Sequence, residues 1–400
     1  MPTRPPRARD LGFPFSGTPG PLNAITDVPG VAVGYETLWA GEGRLERGHG
    51  PVRTGVTAIL PRGKGKAAPC FAASFALNAA GEMTGVTWLE ERGLYEGPIL
   101  ITNTHSVGVV RDAAIQWMRD QQQDFAWAIP IVGETYDGLL NDIDGEHVRK
   151  EHVYTALDNA ISATAIAEGN VGGGTGMITY EFKGGTGTSS RNVVTDGGEY
   201  TVGVLVQSNY GERRHLRIGG IKVGEQLDSE LPTYQDPSIL PDDMLERYPR
   251  YMQKEVAGSM GKAGDGSIIV VVATDAPLLP HQLKRIAKRP SLAIGRLGGI
   301  GAAWSGDIFL AFSTAHPSLS EARLGSGQDV VEMVPNLELS PFFEATIDAT
   351  EEAIINALVA ADAAEGANRL RVQRLPHNAV KDILSRHGVL QPVDGTRSAG

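Results

Sequence analysis

The sequence predicts a layered α+β protein rather than a doubly wound α/β one, on three observations. Ile268, Ile269, Val270, Val271 and Val272 form a continuous β-branched run bounded by turn residues, the pattern of a strand buried on both faces. Strand-like and helix-like segments are mixed along the chain without regular βαβ alternation, which favours antiparallel-rich sheets covered by helices. No stretch has the composition of an interdomain linker. The 400 residues therefore read as one unit, 1–400, although length alone suggests two or three.

In chain order, residues 10–37 read as a loop and then a strand, with Val31, Val33 and Tyr35 alternating against smaller residues. Gly55 to Leu60 and Cys70 to Leu77 are further strands. Asn78 to Gly85 is a turn-rich link into Val86 to Leu89, and Ile99 to Asn103 is a short strand. Val110, Ala113, Ala114, Trp117 and Met118 have helical spacing, with Ser106 as N-cap. Trp127 to Val132 is a strand leading into Gly133–Gly138. A second helix carries Val153, Ala156, Leu157, Ala160, Ile161 and Thr164 on one face. Gly169 to Gly176 and Gly184 to Ser190 are glycine-rich turns, and Thr201 to Ser208 is a strand running into Asn209. Asp228 to Met260, broken by Pro232, Pro237, Pro241 and Pro249, is a long excursion. Beyond the Ile268 strand come a helix with Leu283, Ile286 and Ala287 that stops or kinks at Pro290, a strand from Ile308 to Phe312, and a long helix marked by Ile347, Ile354, Ile355 and Leu358. The last helix carries Val380, Ile383 and Leu384 and ends near His387 and Gly388; the tail after Val389 reads as loose.

Composition excludes several classes. A net charge of −11 disfavours a phosphate-backbone partner, so no nucleic acid is expected. No run of eighteen apolar residues exists, so no membrane span is expected, and the basic, proline-rich N-terminus lacks the apolar core of a secretory signal. Cys70 is the only cysteine and sits in an apolar run; a buried structural thiol and a cytoplasmic setting fit it. The glycine clusters complete neither G-x-G-x-x-G nor a P-loop pattern, and there is no H-E-x-x-H. His147 and His152, near Asp142, Asp144 and Glu146, read as a charged turn rather than a metal site. Ala257–Gly261 is a near miss for a nucleophile elbow, without the strand before it or the helix after it. No metal or organic cofactor is expected.

The chemistry-bearing stretch is Gly261 to Asp275, GKAGDGSIIVVVATD. It places a small nucleophile, Ser267, at the first position of the core strand, behind a glycine leader ending at Gly266. Glycine before the serine lets the backbone adopt conformations that other residues resist. Attack of Ser267 Oγ on the Gly266 carbonyl would form an ester, and its hydrolysis would leave Ser267 as a new N-terminus. The freed α-amine, with a pKa of roughly 7.7–8.0, can then serve as base for its own hydroxyl. The same residues also read simply as a loop entering a strand with a serine at its start.

Other positions gain meaning beside Ser267. Ser305 and Asp307 stand two apart at a strand start and so share a face, where a hydroxyl and a carboxylate can orient an ammonium. Asn209 follows a strand and can donate its amide to an oxyanion, or be part of an Asn-Tyr-Gly turn. Glu134 and Tyr136, also two apart after a strand, can bind a substrate ammonium and assist at a carbonyl, or belong to a solvated loop.

As a set, ITDVPGVAVGYETL, VRTGVTAILPRG, NAAGEMTG, GETYDGLLNDI, GGGTGM, VLVQSNYG, DGSIIVVVATDAPLLP and WSGDIFLAFSTAH resemble the serine N-terminal-nucleophile aminopeptidases, which include L-aminopeptidase/D-amidase-esterases and β-peptidyl aminopeptidases. The likeness runs from about Ile25 to His316 and more weakly to near Arg374. It implies a four-layer αββα sandwich built from two autocleaved fragments, 1–266 and 267–400, and a homo-oligomer, a tetramer of such α/β pairs. It implies Ser267 as nucleophile beside Ser305 and Asp307, Asn209 at the oxyanion, Tyr136 assisting, and Glu134 holding the substrate's free amine. Asp307 is a departure, since some members that cut β-peptides have Glu there. The expected activity is release of N-terminal residues from small peptides, amides or esters through a Ser267 acyl-enzyme. The alternatives are an acyltransferase on the same fold and an uncleaved protein that binds a small amine through Glu134.

Overall fold

Side-chain alternation along the strands sorts the molecule into layers. The computed structural model describes residues 5–64, 69–121, 128–227, 232–235, 266–316 and 330–392. Strands β1 (Ala32–Ala40), β2 (Val52–Leu60), β3 (Cys70–Ala79), β4 (Leu94–Tyr95), β5 (Ile99–Asn103), β6 (Ile131–Thr135), β7 (Ile161–Ser162), β8 (Gly185–Thr195), β9 (Gly198–Asn209), β10 (Ser267–Thr274) and β11 (Gly306–Ser313) build two large sheets. One has the order β6-β5-β2-β1-β7 and the other β8-β9-β10-β11-β3-β4; only β5–β6 and β10–β11 run parallel.

The helices are α1 (Val86–Arg92), α2 (Val107–Asp120), α3 (Lys150–Asp158), α4 (Pro280–Ala287), α5 (Pro290–Arg296), α6 (Ser340–Ala360) and α7 (His377–Arg386). Strand β10 shows how they are layered. Ile269, Val271 and Ala273 pack with Val33, Ile59, Ile101 and Ile131 of the other sheet. Ile268, Val270 and Val272 pack on the opposite side with Leu283, Ile286, Ile354, Leu358 and Ile383 from α4, α6 and α7. Across the molecule, Ala58, Leu100 and Val132 meet α2 and α3 through Val110, Ala114, Val153 and Leu157. The layers are thus helix, sheet, sheet, helix. Burial on both faces explains the unbroken apolar run of β10, and each buried Ile or Val contributes about 1.5–3 kcal/mol relative to exposure. The strand headed by Ser267 is accordingly among the most firmly held.

Several expectations change. Gly185 to Ser190, expected with Gly184 to be a turn, is the first half of β8. A Cβ on Gly187 would lie 2.0 Å from the Ala353 carbonyl of α6, so glycine there marks close helix-to-sheet contact rather than a bend. The helix assigned to Val153–Thr164 stops at Asp158, and Ile161, 57% exposed, lies on edge strand β7. Ser106 precedes α2 without a side-chain cap; Asn103 Oδ1 instead accepts the Ser106 N–H at 2.9 Å. Val86 to Leu89, to which the sequence alone assigns no element, opens helix α1. The strand expected at Trp127–Val132 is β6, which runs on to Thr135; Trp127 lies outside the described residues. Most of Asp228 to Met260 and all of Ala257–Gly261 also lie outside them, while Thr233–Tyr234 pairs with Leu370–Arg371. At the C-terminus, the Gln391 N–H donates to Gly12 O, so the chain is tied down two residues beyond Val389.

Candidate active site

Strand register assembles the site. Ser267 is the direct antiparallel partner of Asn209 on β9 and the parallel partner of Gly306 on β11. Residues two apart share a face. Ile269 and Val271 place Ser267 toward the layer between the sheets, as Leu205 and the buried Gln207 do for Asn209. The Gly306 N–H donates to Gly266 O at 3.2 Å and to Ser267 Oγ at 3.3 Å. A Cβ on residue 306 would stand 3.0 Å from both Ser267 Oγ and Ala80 O, so any side chain there would crowd that contact.

Beside this pair, Ser305 Oγ donates to Asp307 Oδ1 at 2.6 Å, as the shared-face expectation requires. A register shift follows Asp307 in the pairing of β11 with β3. Asn78 Nδ2 donates to the carbonyls of Gly301 (2.8 Å) and Ala302 (2.6 Å), holding the preceding loop near Asp307. Burial pushes the Asp307 carboxyl up to about 6, with the Ser305 hydroxyl acting in the opposite direction.

Asn209 is gripped at both ends. Its Oδ1 accepts the Ile178 N–H at 2.7 Å, and Nδ2 donates to Tyr136 O at 2.9 Å. A primary amide has two N–H donors, so the second remains for a reacting oxygen. The Tyr136 carbonyl thus touches Asn209, and the Tyr136 ring, 40% exposed, lies against Gly138.

Glu134 lies within β6 rather than on a solvated loop, and is 3% exposed. One carboxylate oxygen accepts the Glu82 N–H at 2.9 Å and the other the Thr104 hydroxyl. Burial raises its pKa, and these two hydrogen bonds act against the rise. A Cβ on Gly81 would sit 2.7 Å from Glu134 Oε1 and 3.3 Å from Gly306 Cα. One thin turn, Ala80–Glu82, therefore separates the carboxylate from the backbone that contacts Ser267. Thr104, Gly81 and Gly306 are site residues that the sequence reading did not single out. The available signals were the glycine within NAAGEMTG and the one between Ser305 and Asp307.

The set of a hydroxyl heading a core strand, an amide donor opposite, a buried hydroxyl–carboxylate pair alongside and a buried carboxylate across a glycine turn suits acyl chemistry on a substrate bearing an amine. Its relatives agree. The model of peptidase family S58 matches residues 23–372. The chain belongs to peptidase family S58. It is 56% identical to beta-peptidyl aminopeptidase BapA of Sphingosinicella microcystinivorans over 383 residues, covering 96% of this chain and 92% of that protein. It superposes on the L-aminopeptidase D-Ala-esterase/amidase of Ochrobactrum anthropi, an Ntn-hydrolase-fold serine aminopeptidase, with a TM-score of 0.84 at 45% identity, covering 96% and 99% of the two chains. A Burkholderia sp. beta-aminopeptidase matches with a TM-score of 0.81, also at 45% identity and the same coverages. The protein is thus an aminopeptidase/amidase of the S58 family, with a fold of the Ntn-hydrolase class.

Elsewhere in this S58 chain, the acidic turn resolves into separate pairs, His147 with Asp142 and His105 with Asp144, each at 2.8 Å. No group of three or more potential metal-ligating side chains converges among the described residues. Cys70 is buried, and burial pushes its thiol up to about 11, as suits a packing residue. Among the described residues no helix is long and apolar enough to cross a membrane.

Proposed function

We propose that this S58 chain cleaves itself between Gly266 and Ser267 and then works as a serine aminopeptidase through the new N-terminal residue. The observation that carries the reading is the position of Ser267: first residue of a central, fully buried strand, with Asn209 directly opposite and the Gly306 N–H on its oxygen. In the precursor, Ser267 Oγ attacks the Gly266 carbonyl carbon, the C–N bond to Ser267 breaks, and the nitrogen takes up the hydroxyl proton. Water then hydrolyses the ester to a Gly266 carboxylate and a free Ser267 amine. The products remain one αββα unit, since residues 267–400 supply β10 and β11, flanked by β9 on one side and β3 on the other.

In the mature enzyme the Ser267 amine takes the hydroxyl proton as Oγ attacks the substrate carbonyl. Asp307, steadied by Ser305, orients the ammonium that forms. The free N–H of Asn209 stabilises the oxyanion, the Tyr136 phenol, two residues beyond Glu134, assists at the carbonyl, and Glu134 receives the substrate's terminal ammonium. The leaving amine takes the proton, and water releases the acyl group. Small peptides, amides or esters with a free α- or β-amine are the substrates, in keeping with the β-peptidyl and D-Ala-esterase/amidase activities named for the relatives. A homo-oligomer in the cytoplasm completes the reading.

The test is product analysis with Ser267→Ala as the control. The parent releases a free N-terminal residue from an aminoacyl amide, and the variant neither cleaves itself nor turns over. Preferential transfer of the acyl group to an added amine acceptor instead of water would favour the acyltransferase alternative. Full activity in Ser267→Ala would end the proposal.

A further inference from the structure

Behind Asn209 lies a buried lysine for which the mechanism above has no use. Lys183 is fully buried, and among the described residues no carboxylate faces its ammonium. Its Nζ donates to three carbonyls, Met177 O and Gly184 O at 2.9 Å and Gly174 O at 3.4 Å. Burial lowers its pKa to about 7, so the site spends stability to hold an amine there.

Lys183 closes a small hairpin in which Ile178–Thr179 pairs with Phe182–Lys183. The two turn residues, Tyr180 (φ 49°) and Glu181 (φ 59°), are left-handed without being glycine, a conformation that persists only where the surroundings enforce it. Tyr180 OH donates to Leu297 O at 3.0 Å, and its N–H to Tyr210 O at 2.8 Å. The Arg213 N–H donates to Glu181 Oε2 at 3.1 Å. Thr179 Oγ1 bonds Ser208 O at 2.7 Å, next to Asn209.

The hairpin reaches the site through one peptide group. The Met177 carbonyl accepts from Lys183 Nζ, and the Ile178 N–H donates to Asn209 Oδ1. That carbonyl and that N–H belong to the same rigid plane. Lys183, together with the Gly184 N–H that also donates to Met177 O at 2.9 Å, therefore grips one end of the plane that holds Asn209 by the other. An ammonium on the carbonyl also polarises the peptide and strengthens its N–H as a donor.

Resting on the role given above to Asn209, we propose that Lys183 is a positioning residue for the oxyanion donor, acting through the Met177–Ile178 peptide. Two variants and their combination test it in the full-length protein, with rates normalised to the cleaved fraction measured by mass. Asn209→Ala should lower kcat by about 10²–10³, the scale of a lost oxyanion donor. Lys183→Met, which keeps the stem and removes the donors, should lower kcat by roughly tenfold with KM within about twofold. The double variant should be no slower than Asn209→Ala alone, because the two act as one unit. Lys183→Gln, which retains a shorter donor, should fall between Lys183→Met and the parent. Losses that multiply in the double variant, or an unchanged kcat in folded Lys183→Met, would overturn the proposal while leaving the role of Asn209 intact. An unchanged kcat in Asn209→Ala would instead remove the oxyanion role and this inference with it. Failure of both Lys183 variants to fold would make Lys183 a stability element and equally overturn the positioning role.

Discussion

Replacing Glu134 by Gln removes a charge while leaving its wall in place. Gln can keep one oxygen on the Glu82 N–H and turn its amide nitrogen to the Thr104 hydroxyl, which accepts as readily as it donates. The ammonium of the substrate then loses its charged partner. A hydrogen bond to a charged group contributes about 1.5–3 kcal/mol, and about 1.4 kcal/mol is one decade. Glu134→Gln should therefore cost roughly 10- to 100-fold in kcat/KM for substrates with a free amine. N-acetylated analogues should be poor with the parent and lose little more in the variant. Self-cleavage should survive, because the Gly266–Ser267 bond presents no free amine. The pH profile gives an independent sign. Burial raises the Glu134 pKa, so kcat/KM of the parent falls as pH drops through that raised value and the carboxylate is neutralised. Glu134→Gln should lack this limb. The assay is kcat/KM against pH for an aminoacyl amide and its N-acetyl form on both proteins. Equal losses on the two substrates would show that Glu134 supports the fold or the chemistry rather than reading the amine.

Asp307→Asn should lower kcat of cleaved enzyme by on the order of 10²-fold or more, the scale of a lost acid–base contribution, and an unchanged kcat in fully processed variant would take Asp307 out of the mechanism. In an uncleaved Ser267→Ala chain the Asp307 carboxyl should titrate near the raised value of about 6, visible by NMR. The folded state then holds a proton that the unfolded chain releases at about 4, so the stability of that chain should fall as pH rises between these values. Urea titrations that show the opposite slope, with the other carboxylates taken into account through Asp307→Asn, would contradict the assigned shift. Gly81→Ala should displace the Glu134 carboxylate, since the new Cβ would stand 2.7 Å from Oε1. Its expected result is a KM raised by roughly tenfold for free-amine substrates, within the same contact energy, with the N-acetyl substrate unaffected; an unchanged KM would show that the turn yields instead.

Much of this arrangement was legible in the residues because β-branched runs and two-residue spacing are local signals. The run after Ser267 gave the central strand, and the Ser305–Asp307 spacing gave the shared face that appears as a 2.6 Å hydrogen bond. The layered class followed from the mixed order of elements, and the αββα arrangement from the family likeness. What stayed hidden depends on contacts between distant segments. Glycine at 187 signals a turn by propensity, yet it serves the approach of α6, some 165 residues away in sequence. Helical periodicity through Ile161 could not show that Ala160 and Ile161 leave the helix so that Ile161–Ser162 pair with β1. Glu134 looks like a loop acid until β5 and β6 bring Thr104 against it. Lys183 carries no motif at all; only the three carbonyls converging on its ammonium mark it.

The central claim is that Ser267 becomes a chain terminus, and intact mass with N-terminal sequencing of the purified, active protein tests it most directly. Two chains are predicted, covering residues 1–266 and 267–400, the second beginning Ser-Ile-Ile-Val. An active protein that remains a single 400-residue chain, or one cut at any other bond, would contradict the account.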